Sequence, residues 1–274
     1  MLYICGTPIG NIKDMTFRAV ETLKSVELIA AEDTRQTVKL LNFYGISTPL
    51  TSYHEHNKDT KGPKLIEELK AGKDIALVSD AGMPGISDPG EDLIRLCIEN
   101  EVRFTVVPGP TANITGLLLS GIGARSYVFE GFLPKNKKAR QAVLNSLKTE
   151  KRTVVLYEAP HHLLETLKLL RENIGDRYAA ATRELTKIHE TVNRGTLSML
   201  YEYFSVNEPK GEFVLVLEGC KTVEKEETFS SMSIREHFEK YIQKGMNEKE
   251  AMKQVAKDRG TGKREIYAAL KYDK

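Results

Sequence analysis

The sequence predicts an α/β protein of two α/β domains with a small helical unit at its end, and three observations carry this reading. Short apolar runs alternate with helical periods through the first half, as in a mostly parallel sheet. Several of those runs stop at loops rich in glycine and proline. Late in the chain the polar stretch 221–228 separates the body from a helix that opens with the capping box Ser233-Ile-Arg-Glu236.

Leu2–Cys5 reads as a strand, followed by a helix from about Thr16 with Phe17, Val20, Leu23 and Val26 at helical spacing. Leu28–Ala30 is a second strand, and helices over 34–44 and 64–71 end at Gly45 and Gly72. Ile75–Val78 is the third strand, 91–100 a helix, and Phe104–Val107 the fourth strand. Beyond Gly121 the strands are expected at 127–129, 153–157, 178–182 and 213–217, with helices near 140–147 and 163–173. The tail offers helices from Ser233 to Gly245, from Asn247 to about Asp258, and over 263–270. The expected domains are residues 1–115, 116–222 and 229–274. A unit of about 45 residues is marginal alone, so the tail is expected to dock on the body or on a partner.

The most informative stretch is Ser79–Gly90, which follows the apolar run Ile75–Val78 and holds three glycines, two prolines and two aspartates. Glycine permits positive φ and close approach by a ligand, while Pro84 and Pro89 fix the path. The expected product is a rigid backbone cradle at the carboxyl end of a strand, where open α/β sheets bind ligands. Two further loops, 6–11 and 107–112, also link a strand to a helix, so a pocket is expected at that edge. The first matches neither the dinucleotide fingerprint nor the phosphate loop, which disfavours both chemistries.

At 274 residues, 41% hydrophobic and 28% charged, the composition is that of an ordinary globular protein. Cys5, Cys97 and Cys220 lie far apart and are expected as buried thiols in a reducing cytoplasm. No basic, apolar leader opens the sequence, so no signal peptide is expected. Phe104–Ala124 carries no charge over 21 residues, but its glycines and prolines favour strand, loop and buried helix over a membrane span. The net charge of +2 is unevenly spread: residues 221–274 carry +3, and Gly131–Thr149 holds five cations and no acid.

The loop at the N-terminus, Asp80-Ala-Gly-Met-Pro-Gly85, Pro108-Gly-Pro-Thr-Ala112, Phe129-Glu-Gly-Phe-Leu-Pro134, Leu156-Tyr-Glu-Ala-Pro160, Arg183-Glu-Leu-Thr-Lys187 and 211–219 occur in the order of the tetrapyrrole methylase family. The chain resembles that family over residues 1 to about 220. Ala31-Glu-Asp-Thr-Arg35, Ser52-Tyr-His-Glu-His-Asn57, Gly131-Phe-Leu-Pro-Lys135 and Gly262-Lys-Arg-Glu-Ile-Tyr267 are similar to the branch that methylates a cytidine ribose in 16S, small-subunit ribosomal RNA. The resemblance implies a homodimer with S-adenosylmethionine held in a cleft between the two α/β domains. By motif position it assigns Ile9, Asp80, Ala81, Gly82, Gly85, Thr111 and Ala112 to the donor's methionine and ribose parts, with Glu158 and Leu185 closing over the nucleoside. After Pro160 the family commonly shows His-Arg where this chain has His161-His162, so no anion-binding role is carried to the second position.

Methyl transfer from a sulfonium is an in-line displacement, so alignment and a route for one proton are the main requirements. A ribose 2′-hydroxyl is weakly acidic, and a base is expected among Glu32, Asp33, His54 and His56 or the neighbouring Glu55. Arg35 suits phosphate, or else pairs with Glu32 at helical spacing. Lys135, Lys137, Lys138 and Arg140, with Lys263 and Arg264 in the tail, are the expected RNA contacts. His54-Glu-His56 lacks the partners of a metal motif, so no metal is expected. Two alternatives remain at this stage, a tetrapyrrole C-methyltransferase sharing the donor site and a non-catalytic RNA- or ribosome-binding protein.

Overall fold

The computed structural model describes residues 1–88, 90–221, 232–243 and 245–272, so Pro89 and most of the polar connector lie outside the described residues. The chain falls into two compact units, Met1–Cys220 and Lys221–Lys274.

The first unit opens with β1 (Leu2–Cys5), α1 (Phe17–Ser25), β2 (Leu28–Ala31), α2 (Thr34–Phe43), β3 (Leu50–Ser52), α3 (Lys58–Lys70), β4 (Ile75–Val78), α4 (Gly90–Glu99) and β5 (Phe104–Val107). The strands form one parallel sheet in the order β3-β2-β4-β1-β5. All four residues of β4 are buried, as a parallel strand covered on both faces requires. Because β4, β1 and β5 are neighbours, the three glycine-rich loops that follow them lie side by side at the carboxyl edge.

Two elements of this half differ from the expectation. β3 is three residues with no buried member, too short and polar for an apolar run to announce it. α3 begins at Lys58, not at 64, and carries Pro63 within its second turn. A proline there gives up one backbone hydrogen bond but does not end the helix.

α5 (Ala112–Ser120) leads into β6 (Tyr127–Phe132), α6 (Lys137–Leu147), β7 (Thr153–Glu158), α7 (Leu163–Ile174), β8 (Tyr178–Arg183), β9 (Thr191–Thr196), α8 (Leu197–Val206) and β10 (Phe213–Leu217). The uncharged stretch 104–124 is therefore a strand, a loop and a nine-residue helix. The second sheet is mixed, in the order β6-β7-β10-β8-β9, with β6 parallel to β7 and the other pairs antiparallel. β9 and α8 were not legible in the sequence, since Thr-Val-Asn-Arg-Gly-Thr is a polar edge strand.

Each sheet has its own apolar core, and a further buried cluster of Ile9, Leu117, Val155, Leu185, Val214 and Val216 draws on both halves. α5 makes that junction. Its Gly116 sits so close to the second sheet that an added Cβ would lie 2.8 Å from Val214 and 2.9 Å from the Thr182 hydroxyl. Cys5 and Cys97 are buried, which raises their thiols to about 12 and about 11, whereas Cys220 is only half-buried at the end of this unit. The expectation of three buried thiols is corrected at Cys220.

The second unit holds α9 (Ile234–Gln243), α10 (Glu248–Asp258) and α11 (Lys263–Tyr272) around Val255, Ala256 and Ile266. The capping box forms: Glu236 N–H donates to the Ser233 hydroxyl at 3.1 Å, and Ser233 N–H donates back to the Glu236 carboxylate at 2.8 Å. No helix among the described residues is long and apolar enough to cross a membrane.

Alanine is the better helix former by about 1 kcal/mol. The Gly116→Ala variant is nevertheless expected to lose about 1–3 kcal/mol of stability through overpacking, measured by urea unfolding.

Candidate active site

The first and second loops are stitched into a two-residue antiparallel bridge: Thr7 N–H donates to Gly82 C=O at 2.9 Å and Gly82 N–H to Thr7 C=O at 3.1 Å. The Thr7 hydroxyl, itself buried, donates to Ser79 C=O at 3.1 Å. Gly82 has φ +84°, and an added Cβ would meet Ile9 at 3.4 Å and Pro110 C=O at 3.6 Å. Only glycine gives this turn its shape without strain.

Above these loops lies a cavity of about 290 Å³. Its first-sheet wall contains Ile9, Asp80, Ala81, Gly82, Thr111 and Ala112. Its second-sheet wall contains Glu158, Leu185 and Phe213 from one edge of β7, β8 and β10. Eight of the nine residues expected to hold the donor therefore share one cavity. The ninth, Gly85, stands behind the wall, where its N–H donates to Asp88 at 2.8 Å and shapes the turn.

The wall chemistry is divided. Thr111 precedes α5 but its side chain makes no capping bond, so its hydroxyl is available to a carboxylate, whereas the Asn113 and Ile114 N–H groups of the first turn already donate to the Tyr157 hydroxyl and the Asn113 side chain. Glu158 is buried and already engaged, accepting from Ala159 N–H at 2.8 Å and from the Thr166 hydroxyl at 2.5 Å. Leu185 projects from between Glu184 and Thr186, both in the left-handed region at φ +51° and +64°. That strained turn is pinned from the first half, where Asn11 N–H donates to the Thr186 hydroxyl at 2.8 Å.

The structure separates the five candidates for the chemical step. Glu32 lines the cavity and also a more open recess beside it, which shares Ile86, Ser87 and Asp88. Burial and the neighbouring Asp80 carboxylate hold the Glu32 carboxyl above its ordinary range. Asp88, half-buried, is also raised by that partial burial, although it accepts two backbone N–H groups. Asp33 points elsewhere: it caps α2 and forms a bidentate pair with Arg35 at 3.0 and 2.7 Å, which lowers it to about 2. The expected alternative partner of Arg35, Glu32, is corrected to Asp33. The two are sequence neighbours, but the turn after β2 sends one side chain to the cavity and the other to the helix cap.

His54 and His56 lie outside the cavity wall, edge to face at 6.0 Å. His54 Nδ1 is buried without a hydrogen-bond partner, while its Nε2 faces the Asn57 amide at 3.4 Å. Among the described residues no group of His, Cys, Asp and Glu is placed to hold a metal ion.

Lys135, Lys137 and Lys138 are exposed around the start of α6 and form no ion pair among the described residues. Arg140 is committed to Glu165 at 3.2 Å. Lys263 and Arg264 are exposed in the first turn of α11, within the second unit.

Sequence reasoning missed Tyr157, Asn113, Asp88 and Phe132 as wall residues. Asn113 N–H donates to the Tyr157 hydroxyl at 3.2 Å, tying the α5 terminus to β7 across the cavity. Asp88 lay inside the loop already singled out, so its residue type was the available signal.

The family model of Tetrapyrrole (Corrin/Porphyrin) Methylases matches residues 1–201. The chain belongs to that family. Among similar methylases, the protein of Bacillus subtilis (strain 168) called ribosomal RNA small subunit methyltransferase I is 49% identical over 272 residues, 98% of this chain and 93% of its own. The protein of that name from Synechocystis sp. is 48% identical over 97% of this chain and 96% of its own. One from Thermotoga maritima is 46% identical over 218 residues, 80% of this chain but 98% of its own. The methylase fold is shared with solved structures of a diphthine synthase (TM-score 0.64, 16% identity, 79% of this chain and 89% of that one) and of uroporphyrin-III-C-methyltransferase from Thermus thermophilus (TM-score 0.58, 19% identity, 79% and 93%).

S-adenosylmethionine fits the methylase cavity on the chemistry of its walls. Apolar side chains suit the nucleoside, carboxylates suit the sulfonium and amine, and the Thr111 hydroxyl at the start of α5 suits the carboxylate. The raised Glu32 carboxyl has a consequence for stability. A carboxyl raised on folding favours the fold below its unfolded pKa, and that contribution is lost as pH rises through the folded value. Glu32→Gln fixes the neutral form. The variant is therefore expected to melt above the unaltered protein at pH 8, with the gap closing toward pH 4, measured by thermal unfolding across that range.

Proposed function

We propose that this protein methylates the 2′-hydroxyl of a cytidine in 16S ribosomal RNA, acting on the small subunit in the cytoplasm as a homodimer. The donor is S-adenosylmethionine, which supplies an electrophilic methyl group on a sulfonium sulfur. The observation that carries the reading is the near 50% identity, over almost the whole chain, to proteins called ribosomal RNA small subunit methyltransferase I. Supporting the homodimer are exposed apolar side chains on the edge strand β5 and the adjoining α5: Phe104, Val106, Ile114 and Leu118.

Glu32 is the base in this reading. It is the candidate among the five that reaches the cavity, and its recess-facing side is open to an incoming acceptor. The acceptor oxygen forms the new C–O bond as the C–S bond breaks, and its proton passes to the Glu32 carboxylate. A raised carboxyl pKa makes a stronger base, provided the pH stays above it. Asp80 donates nothing from its side chain; it accepts Asp33 N–H at 2.9 Å, which fixes the turn carrying Glu32. The exposed lysines beside α6 supply the phosphate contacts, since the cavity's carboxylates repel phosphate.

Transfer from labelled S-adenosylmethionine is to be measured on unmodified small subunits, naked ribosomal RNA and a tetrapyrrole precursor. Label is expected as 2′-O-methylcytidine with the unaltered protein, and reduced about 10²- to 10⁴-fold with Glu32→Gln. Label in the tetrapyrrole alone would sink the RNA reading, and donor binding without transfer would favour a silent RNA binder. Joint replacement of Lys135, Lys137 and Lys138 by alanine is expected to flatten the log–log salt dependence of subunit binding by about 2, at about 0.7 per lost phosphate contact on single-stranded RNA.

A further inference from the structure

Phe132 lines the cavity but stays 56% exposed at its mouth. Single exposed aromatics are ordinary on a protein surface, and Phe17 and Phe43 are two here. Phe132 differs from those because the backbone is distorted to aim it. β6 pairs with β7 in regular register through Phe129 opposite Val155, then slips, so that Gly131 stands opposite Leu156 and Phe132 opposite Tyr157. The extra residue is Glu130, and Gly131 takes φ +65°. Without that bulge, side-chain alternation would put Phe129 and Phe132 on opposite faces of the sheet. With it both rings meet Tyr157 edge to face, at 4.9 Å and 5.6 Å between centroids. Bulges beside active sites commonly re-aim one side chain.

The ring is also held still. Tyr157, its support, is half-buried against Phe129 and accepts the Asn113 N–H, and Leu133 packs into the second-sheet core one residue further on. Three residues beyond Phe132 begin Lys135, Lys137 and Lys138, exposed and without an ion pair among the described residues, and Asn136 caps α6 there by accepting from Lys138 and Ala139 N–H. Across the mouth stands Ile86, half exposed, in the loop whose Ser87 lies 3.9 Å from the Cβ position of Gly131. An apolar ring face, rigidly mounted beside a recess that contains Glu32 and flanked by exposed cations, is what an unstacked nucleotide requires. Its base stacks on the ring while its phosphates meet the lysines.

We propose that Phe132 is the platform on which the base of the acceptor nucleotide stacks once it leaves its RNA neighbours. This rests on the RNA reading above. The ring contributes to holding the acceptor ribose beside Glu32, and not to binding the donor.

The test compares Phe132→Ala, Phe132→Leu and Phe132→Tyr in donor binding by calorimetry and in methyl transfer to unmodified small subunits. Donor affinity is expected to stay within about twofold in all three. The kcat/KM for subunits is expected to fall about 5- to 150-fold for Ala and Leu, the span that loss of one stacked base covers, and to survive in Tyr. Leucine performing as well as phenylalanine would overturn the proposal, because apolar bulk alone would then suffice. So would a loss of donor affinity that matches the loss of transfer, which would make Phe132 a wall of the donor site. An unaltered protein that labels no RNA would fail the underlying reading and this inference with it; an active one indifferent to all three substitutions would fail this inference alone.

Discussion

The close contact between α5 and the second sheet is the constraint on which the rest depends. α5 leaves the parallel sheet through β5 and its loop, then buries Leu117 with Val155, Val214 and Val216 of the other half. At Gly116 the helix backbone comes within van der Waals reach of β10, a distance no side chain allows. The same helix presents Thr111 and Ala112 to the cavity and ties Asn113 to Tyr157. Position of the cavity walls and cohesion of the two halves are therefore one packing problem.

Electrostatics then divides labour across the mouth. Asp80, Asp88, Glu32 and Glu158 make the interior acidic, which suits a cationic sulfonium donor and disfavours phosphate. The basic segment at the start of α6 begins only a few residues after the rim. On the proposed RNA reading, a polyanion held there would place one nucleotide at the mouth and keep its phosphates out of the acidic interior. Lys58, inside the recess, does not change the balance, since it is bound to Glu55 at 2.8 Å and Asp92 at 2.7 Å.

What the sequence disclosed follows the physics of each element. β1, β4 and β5 were legible because apolar runs ending in glycine and proline have few other readings, and the first-sheet wall of the cavity was legible for the same reason. β3 and β9 are edge strands whose residues need not be apolar, so pattern could not reveal them. The Ala31–Arg35 segment was visible as chemistry, but the choice between Glu32 and Asp33 depended on a turn geometry that two adjacent carboxylates do not encode. Leu185 was placed by resemblance alone; the left-handed Glu184 and Thr186 that present it carry no glycine to mark them. Phe132 was hidden more deeply, because a slipped register changes which face a residue occupies without changing the residue.

The bridge between Thr7 and Gly82 has a consequence for how such a protein diverges. That part of the cavity floor is written in main-chain conformation, with amide and carbonyl groups satisfying each other across two loops. Side chains around it can be exchanged without touching the bridge, provided the positive φ at Gly82 survives. The rim proposed to meet the acceptor is written in side chains: a ring, a carboxylate, a few lysines. Mutation can thus rewrite what is methylated while the apparatus that presents the methyl group stays intact, and a single scaffold can acquire new substrates by changing its rim.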